Sequence, residues 1–106
     1  MRKSKLSVIC GLKVADAVLA EGDAGISFEN GISLAIYNMY ELEGFVLSDT
    51  QRLIGNIVTH VDEGMDTTTI RFQNNWALRI DMRDEAYTGP EAMQLRVPDD
   101  PIVIWN

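Results

Sequence analysis

Sixteen carboxylates, one histidine and one cysteine are the side chains of this 106-residue sequence best suited to moving protons or attacking bonds. Paired carboxylates can serve as general acid and base or flank a glycosidic bond, and Glu41, Glu85 and Glu91 supply such pairs. So many acids allow many pairs, however, and separation in space, which defines that chemistry, is not written in sequence. A Cys10–His60 nucleophilic dyad would need a thiolate. Cys10 falls in a run, Val8, Cys10, Leu12 and Val14, whose alternation places it on an apolar face, where the thiolate is disfavoured. A buried, inert cysteine is therefore expected, with His60 pointing outward near a strand end.

Two acidic groups, Asp62, Glu63 and Asp66, then Asp81, Asp84 and Glu85, have the residue type that binds calcium. Neither has the D-x-[DN]-x-[DN]-G spacing, and solvated loop acids are the simpler reading. Phosphate loops, nucleophile elbows, HExxH and dinucleotide fingerprints are absent. The sequence points away from an enzyme, with no cofactor and no metal expected.

Recognition is better supplied. Tyr37 and Tyr40 bracket the end of one strand-like region, beside Glu41, and Tyr87 lies near a corresponding end with Asp84, Glu85 and Glu91. Tyrosine joins a broad apolar ring to a polar tip, a combination enriched in protein interfaces, and the same rings would equally serve to cover the open ends of a barrel. These seven residues form the candidate binding set. Arg2, Lys3, Lys5 and Lys13 precede every acid, so the rest of the chain sets five basic residues against sixteen acidic ones. A body of that charge repels phosphate backbones and steers towards it a protein partner with a basic surface.

In "DEAYTGPEAMQL", residues 84–95, Glu91 is open to a catalytic and a structural reading. Pro90 suits the first position of a helical turn, and Glu91 would sit favourably at that turn's N-terminus. Ala92, Met93 and Leu95 would then plug one end of the fold. The structural reading is preferred, because no acid–base partner for Glu91 is identified.

The elements that must position these residues come from an internal duplication. A shift of 44 positions aligns Gly11/Gly55, Val14/Val58, Ile26/Ile70, Phe28/Phe72, Asn30/Asn74, Leu34/Leu78, Ile36/Ile80 and Glu41/Glu85 without a gap. Each copy reads as three strands with period-2 alternation. In the first, these are Val8–Val14, Ala24–Phe28 and Ile32–Ile36. The turn at 20–25, "AEGDAG", joins the first two. Parity fixes the next: a three-residue loop, 29–31, pairs Phe28 with Ile32 and Ile26 with Leu34, keeping the apolar side chains on one face. Gly31, and Asn75 in the other copy, would take its left-handed position.

"IVIW", Ile102–Trp105, lacks alternation and is expected to be buried on both faces or paired with another chain. Helix is expected only at 48–53, "SDTQRL", with Ser48 and Gln51 at capping-box spacing, and at 89–95. The expected fold is mostly β: two pseudo-symmetric three-stranded antiparallel meanders plus a C-terminal strand, a small barrel or sandwich with one or two short helical turns. Residues 1–106 read as a single domain, with repeats at 7–41 and 51–85 and a closing segment, 86–106. Apolar residues at 46% and charged at 24% exclude a disordered chain, and no apolar run is long enough for a membrane helix. The basic start looks briefly like a signal peptide. Lys13 and Asp16 interrupt its apolar region, so a cytoplasmic protein is expected.

Leu53 and Gly55, Phe72 to Trp76, Gly89 to Ala92, and Ile102 to Trp105 together resemble small bacterial proteins of mobile gene cassettes, including integron cassettes and toxin–immunity neighbourhoods. The resemblance implies an accessory protein and supplies no catalytic residues. The expected function is thus an immunity-like protein-binding module with an acidic surface. A small-ligand-binding barrel with acid–base chemistry at its mouth is the alternative, and a homodimer joined through edge strands is a third reading.

Overall fold

The structure, a computed structural model, describes residues 5–20 and 23–106. Arg2, Lys3 and part of the expected 20–25 turn lie outside them. Nine strands are described: β1 Val14–Val18, β2 Ala24–Phe28, β3 Ser33–Ile36, β4 Tyr40–Glu43, β5 Val58–Glu63, β6 Thr67–Phe72, β7 Ala77–Asp81, β8 Met93–Arg96 and β9 Val103–Trp105. They form two antiparallel sheets, β1-β2-β3-β8-β9 and β4-β7-β6-β5, packed as a sandwich rather than closed into a barrel. No helix among the described residues is long and apolar enough to cross a membrane.

The two meanders, β1-β2-β3 and β5-β6-β7, match at the 44-residue offset down to their irregularities. Each first strand is bulged at the same place, between Val14 and Asp16 and between Val58 and His60. Each 29–31-type loop closes as parity requires: Phe28 N–H donates to Ile32 C=O at 2.8 Å and Phe72 N–H to Trp76 C=O at 2.9 Å. Gly31 and Asn75 occupy the left-handed positions at φ 86° and 68°. The copies meet about a pseudo-dyad, where Lys13 and Ile57 form an antiparallel bridge. There Gly11 N–H donates to Val58 C=O at 2.7 Å and Gly55 N–H to Val14 C=O at 2.8 Å.

A central cross-strand row faces the core in each sheet: Ala17-Ile26-Leu34-Leu95-Val103 in one and Val61-Ile70-Leu78-Leu42 in the other. Ile26, Leu34, Leu95, Ile70 and Leu78 are essentially fully buried. Each such side chain contributes roughly 1.5–3 kcal/mol on leaving water.

The fourth strands are exchanged. β4 follows the first meander but pairs with β7 of the second, while β8 follows the second and pairs with β3 of the first. Their registers are equivalent, Ile36 opposite Met93 and Ile80 opposite Tyr40. Residues 37–39 make the first crossing, whereas 82–92 make the second. The Gly-Pro-Glu stretch therefore lies in an insertion. Glu41 and Glu85, aligned in sequence, occupy a strand and a 3-10 turn, Asp84–Ala86.

Three local expectations are corrected. The first strand expected over Val8–Val14 is displaced: Lys5–Ile9 is a 3-10 turn that buries Leu6 and Ile9 and leaves Cys10 exposed, and the strand runs over Val14–Val18, as its counterpart runs over Val58–Glu63. The apolar residues at 6 and 9 satisfy a three-residue period, which competes with the period-2 reading of 8–14. No helix starts at Pro90: Ala92 is buried beside β8, and Met93 and Leu95 are buried on its inner face. β9 is an edge strand, half exposed rather than covered on both faces, because nothing described lies beyond it. The helix expected at 48–53 is present as a 3-10 turn over Leu47–Asp49 followed by α1, Thr50–Leu53. Its N-terminal cap falls two residues earlier than expected, at Val46, with Asp49 in the place foreseen for Gln51. The Asp49 carboxylate accepts from Val46 N–H at 3.1 Å, and the Thr50 hydroxyl donates to Leu47 C=O at 2.6 Å.

Candidate functional site

The two crossings lie side by side and build one end of the sandwich. Tyr37 and Asn38 N–H groups donate to Ala92 C=O at 2.9 and 3.1 Å, and Met39 N–H donates to Ala86 C=O at 3.2 Å. The Thr88 hydroxyl donates to Tyr37 C=O at 3.0 Å. The candidate set assembles around this junction, but in two places. Tyr40 and Glu41 line a surface cleft of about 380 Å³ with Met39, Asp66, Thr67, Arg79, Asp81 and Arg83. Tyr37 and Glu91 line a second, of about 340 Å³, with Thr88, Gly89 and Pro90. Tyr87 instead packs half-buried against the core, and Asp84 and Glu85 are exposed on the 3-10 turn.

The larger cleft takes its charge from the ends of β4 and β7 and the β5–β6 turn. Arg83 grips Asp81 through its guanidinium, with contacts of 2.7, 3.0 and 3.3 Å, and lies 3.6 Å from Glu85. The Arg83 side-chain bonds, then its backbone N–H and charge, lower the Asp81 carboxyl from 3.8 to about 2, against a small opposing effect of burial. The same pairing raises Arg83. Arg79 lies opposite Glu41 in the strand register. The cleft thus sets three carboxylates, Glu41, Asp66 and Asp81, against two guanidiniums, with Asp84 and Glu85 on the adjacent turn. Its lining includes an exposed apolar side chain, Met39 at 57%, and Met65, next to Asp66 in sequence, is 93% exposed. The Tyr40 hydroxyl donates to Ala20 C=O at 3.0 Å, so that ring is fixed between the two sheets.

In the smaller cleft, Glu91 accepts a hydrogen bond from the Gln94 amide and does not cap a helix. His60 is exposed on β5 opposite Arg71, as its strand position implied, and no hydrogen bond joins it to Cys10 among the described residues. No group of three or more His, Cys, Asp or Glu side chains stands at metal-binding spacing among those residues.

Sequence reasoning passed over Asn38. It is fully buried in the short crossing, where its amide nitrogen donates to Asp81 C=O at 2.8 Å and Asp81 N–H donates to Met39 C=O at 2.9 Å. Its Oδ1 has no hydrogen-bond partner among the described residues. The available signal was a lone amide inside the apolar run 36–40, where a chain leaving one sheet must satisfy its backbone by other means. Arg79 and Arg83 were also missed, since attention to acids hid the bases placed among them.

No known protein family matches the chain, and neither does any curated protein or solved structure.

Proposed function

We propose that this protein is a binding module that receives a basic segment of another protein in the cleft lined by Tyr40, Glu41, Asp66 and Asp81. The observation that carries this reading is a cleft in which Glu41, Asp66 and Asp81 outnumber Arg79 and Arg83, lined also by the exposed Met39. Flexible, polarisable methionine side chains suit apolar contacts with a partner chain, and the carboxylates suit its lysines or arginines. The sandwich interior is filled by large side chains and both clefts are on the surface, so the geometry favours a polypeptide over a small apolar ligand. An immunity-like role, as the resemblance to cassette proteins implies, is the setting in which such a module would act.

The test is an NMR titration with a lysine- and arginine-rich decapeptide carrying one central leucine. The expected shifts centre on Met39, Tyr40, Glu41 and Asp66, with affinity falling as salt screens the charges. Joint replacement Glu41→Lys and Asp66→Lys is expected to remove binding while leaving the fold's amide spectrum intact. No shift at millimolar peptide, or shifts centred elsewhere, would overturn the reading.

A further inference from the structure

The four edges of the two sheets are not alike. β4 presents Glu41 and Glu43, and β5 presents His60, Asp62 and Glu63. β1 carries Asp16, and its start is covered by residues 55–57 through the Val14 hydrogen bonds to Gly55 and Asn56. β9, Val103–Trp105, carries no charge, and Ile102 and Ile104 are 46% and 44% exposed. Apart from its shortness, it has no inward charge, bulge or proline within the strand to blunt the edge.

The outer-face row that reaches β9 is uncharged, while the row beside it carries Asp16 and Arg96. The uncharged row runs Val18-Gly25-Ala35-Gln94-Ile104 over all five strands. The equivalent row on the other sheet is Asp62-Thr69-Arg79-Glu41. β9 is moreover held in place before any partner arrives. Trp105 Nε1 donates to Glu63 at 2.8 Å, and Ala92 N–H donates to Trp105 C=O at 2.6 Å.

We infer that β9 pairs with β9 of a second copy, antiparallel about a two-fold axis at Ile104, joining two five-stranded sheets into one. The charge pattern selects this occupant. Across a two-fold axis each strand meets its own sequence, so β4 or β5 would bring carboxylates against carboxylates, whereas β9 brings Val103 opposite Trp105 and Ile104 opposite Ile104. The outer row that ends at Ile104 continues uncharged across the seam. A three-residue edge is short, so the dimer is weak and forms at high protein concentration. Salt strengthens it, because the bodies of net charge −7 repel through solvent while the seam itself is uncharged.

Sedimentation equilibrium of the full chain from about 10 μM to about 1 mM, at low and high salt, tests the inference. A concentration-dependent dimer is expected. Ile104→Lys should weaken it at least tenfold, with the amide spectrum unchanged away from β9, whereas Glu29→Gln, exposed and remote from β9, should leave its strength unaltered. Hydrogen exchange on the unmodified protein gives an independent reading, since protection of the 103–105 amides should rise with concentration. A monomer throughout, an equally strong dimer in Ile104→Lys, exchange at 103–105 that ignores concentration, or pairing of β9 only with an added foreign strand would each overturn it. The opposite responses to salt separate this seam from peptide binding in the cleft.

Discussion

At the scale of single residues, two side chains near the strand crossings carry sharp consequences. Asp81 titrates at about 2 in the folded protein and 3.8 ordinarily, so its pairing with Arg83 adds stability present above about pH 4 and lost as pH falls towards 2. Arg83→Gln is expected to return the Asp81 carboxyl towards 3.8 and flatten that part of the acid limb, which a carboxyl-detected NMR titration would follow. Asn38→Ala removes the donor to Asp81 C=O and is expected to cost about 1–3 kcal/mol in denaturant unfolding. The pairing of Asp81 with Arg83 was not legible from the sequence. Arg83 lies two residues along, past the end of β7, where no strand alternation governs which way a side chain turns.

At the scale of elements, turn chemistry was the most readable feature and offers a clean comparison. Gly55 follows α1 at φ 91°, and a Cβ there would meet nothing within 4 Å. Gly55→Ala should therefore cost only the left-handed backbone penalty, about 1–2 kcal/mol. Gly31 has a similar φ, 86°, but its Cβ would lie 3.1 Å from Pro98 Cγ. Gly31→Ala should cost more than Gly55→Ala, and paired thermal melts would show the order. The β2–β3 and β6–β7 hairpins followed from parity because a one-residue slip would turn every apolar side chain to solvent. The 8–14 region misled for the converse reason: four alternating apolar residues fit a strand, but burial of Leu6 and Ile9 against the core prevails.

At the scale of the whole molecule, exchange of β4 and β8 makes each sheet depend on both halves. Ile26→Ala in one meander and Ile70→Ala in the other are each expected to destabilise by about 2–5 kcal/mol. Both should lower one shared cooperative transition, visible as coincident fluorescence and circular dichroism melts. Two separate transitions would show that the halves are independent.

What the sequence determined by itself was the β2–β3 and β6–β7 hairpins, their inward pairs and their loops, because period-2 burial and left-handed turn positions are local properties of a strand and its neighbour. The first strand of each meander instead begins where the alternation of 8–14 and its repeat ends, at Val14 and Val58. Tertiary structure decided where the fourth strands go. Leu42 and Leu95 each complete an inward row, so their alternation suits β3 and β7 equally. Only the three-dimensional path of 37–39 and 82–92 selects the crossed pairing. That path gathers Met39, Glu41, Asp66 and Asp81 into one cleft and leaves β9 on an open edge, because both depend on which distant backbones hydrogen-bond and which charges are left outside.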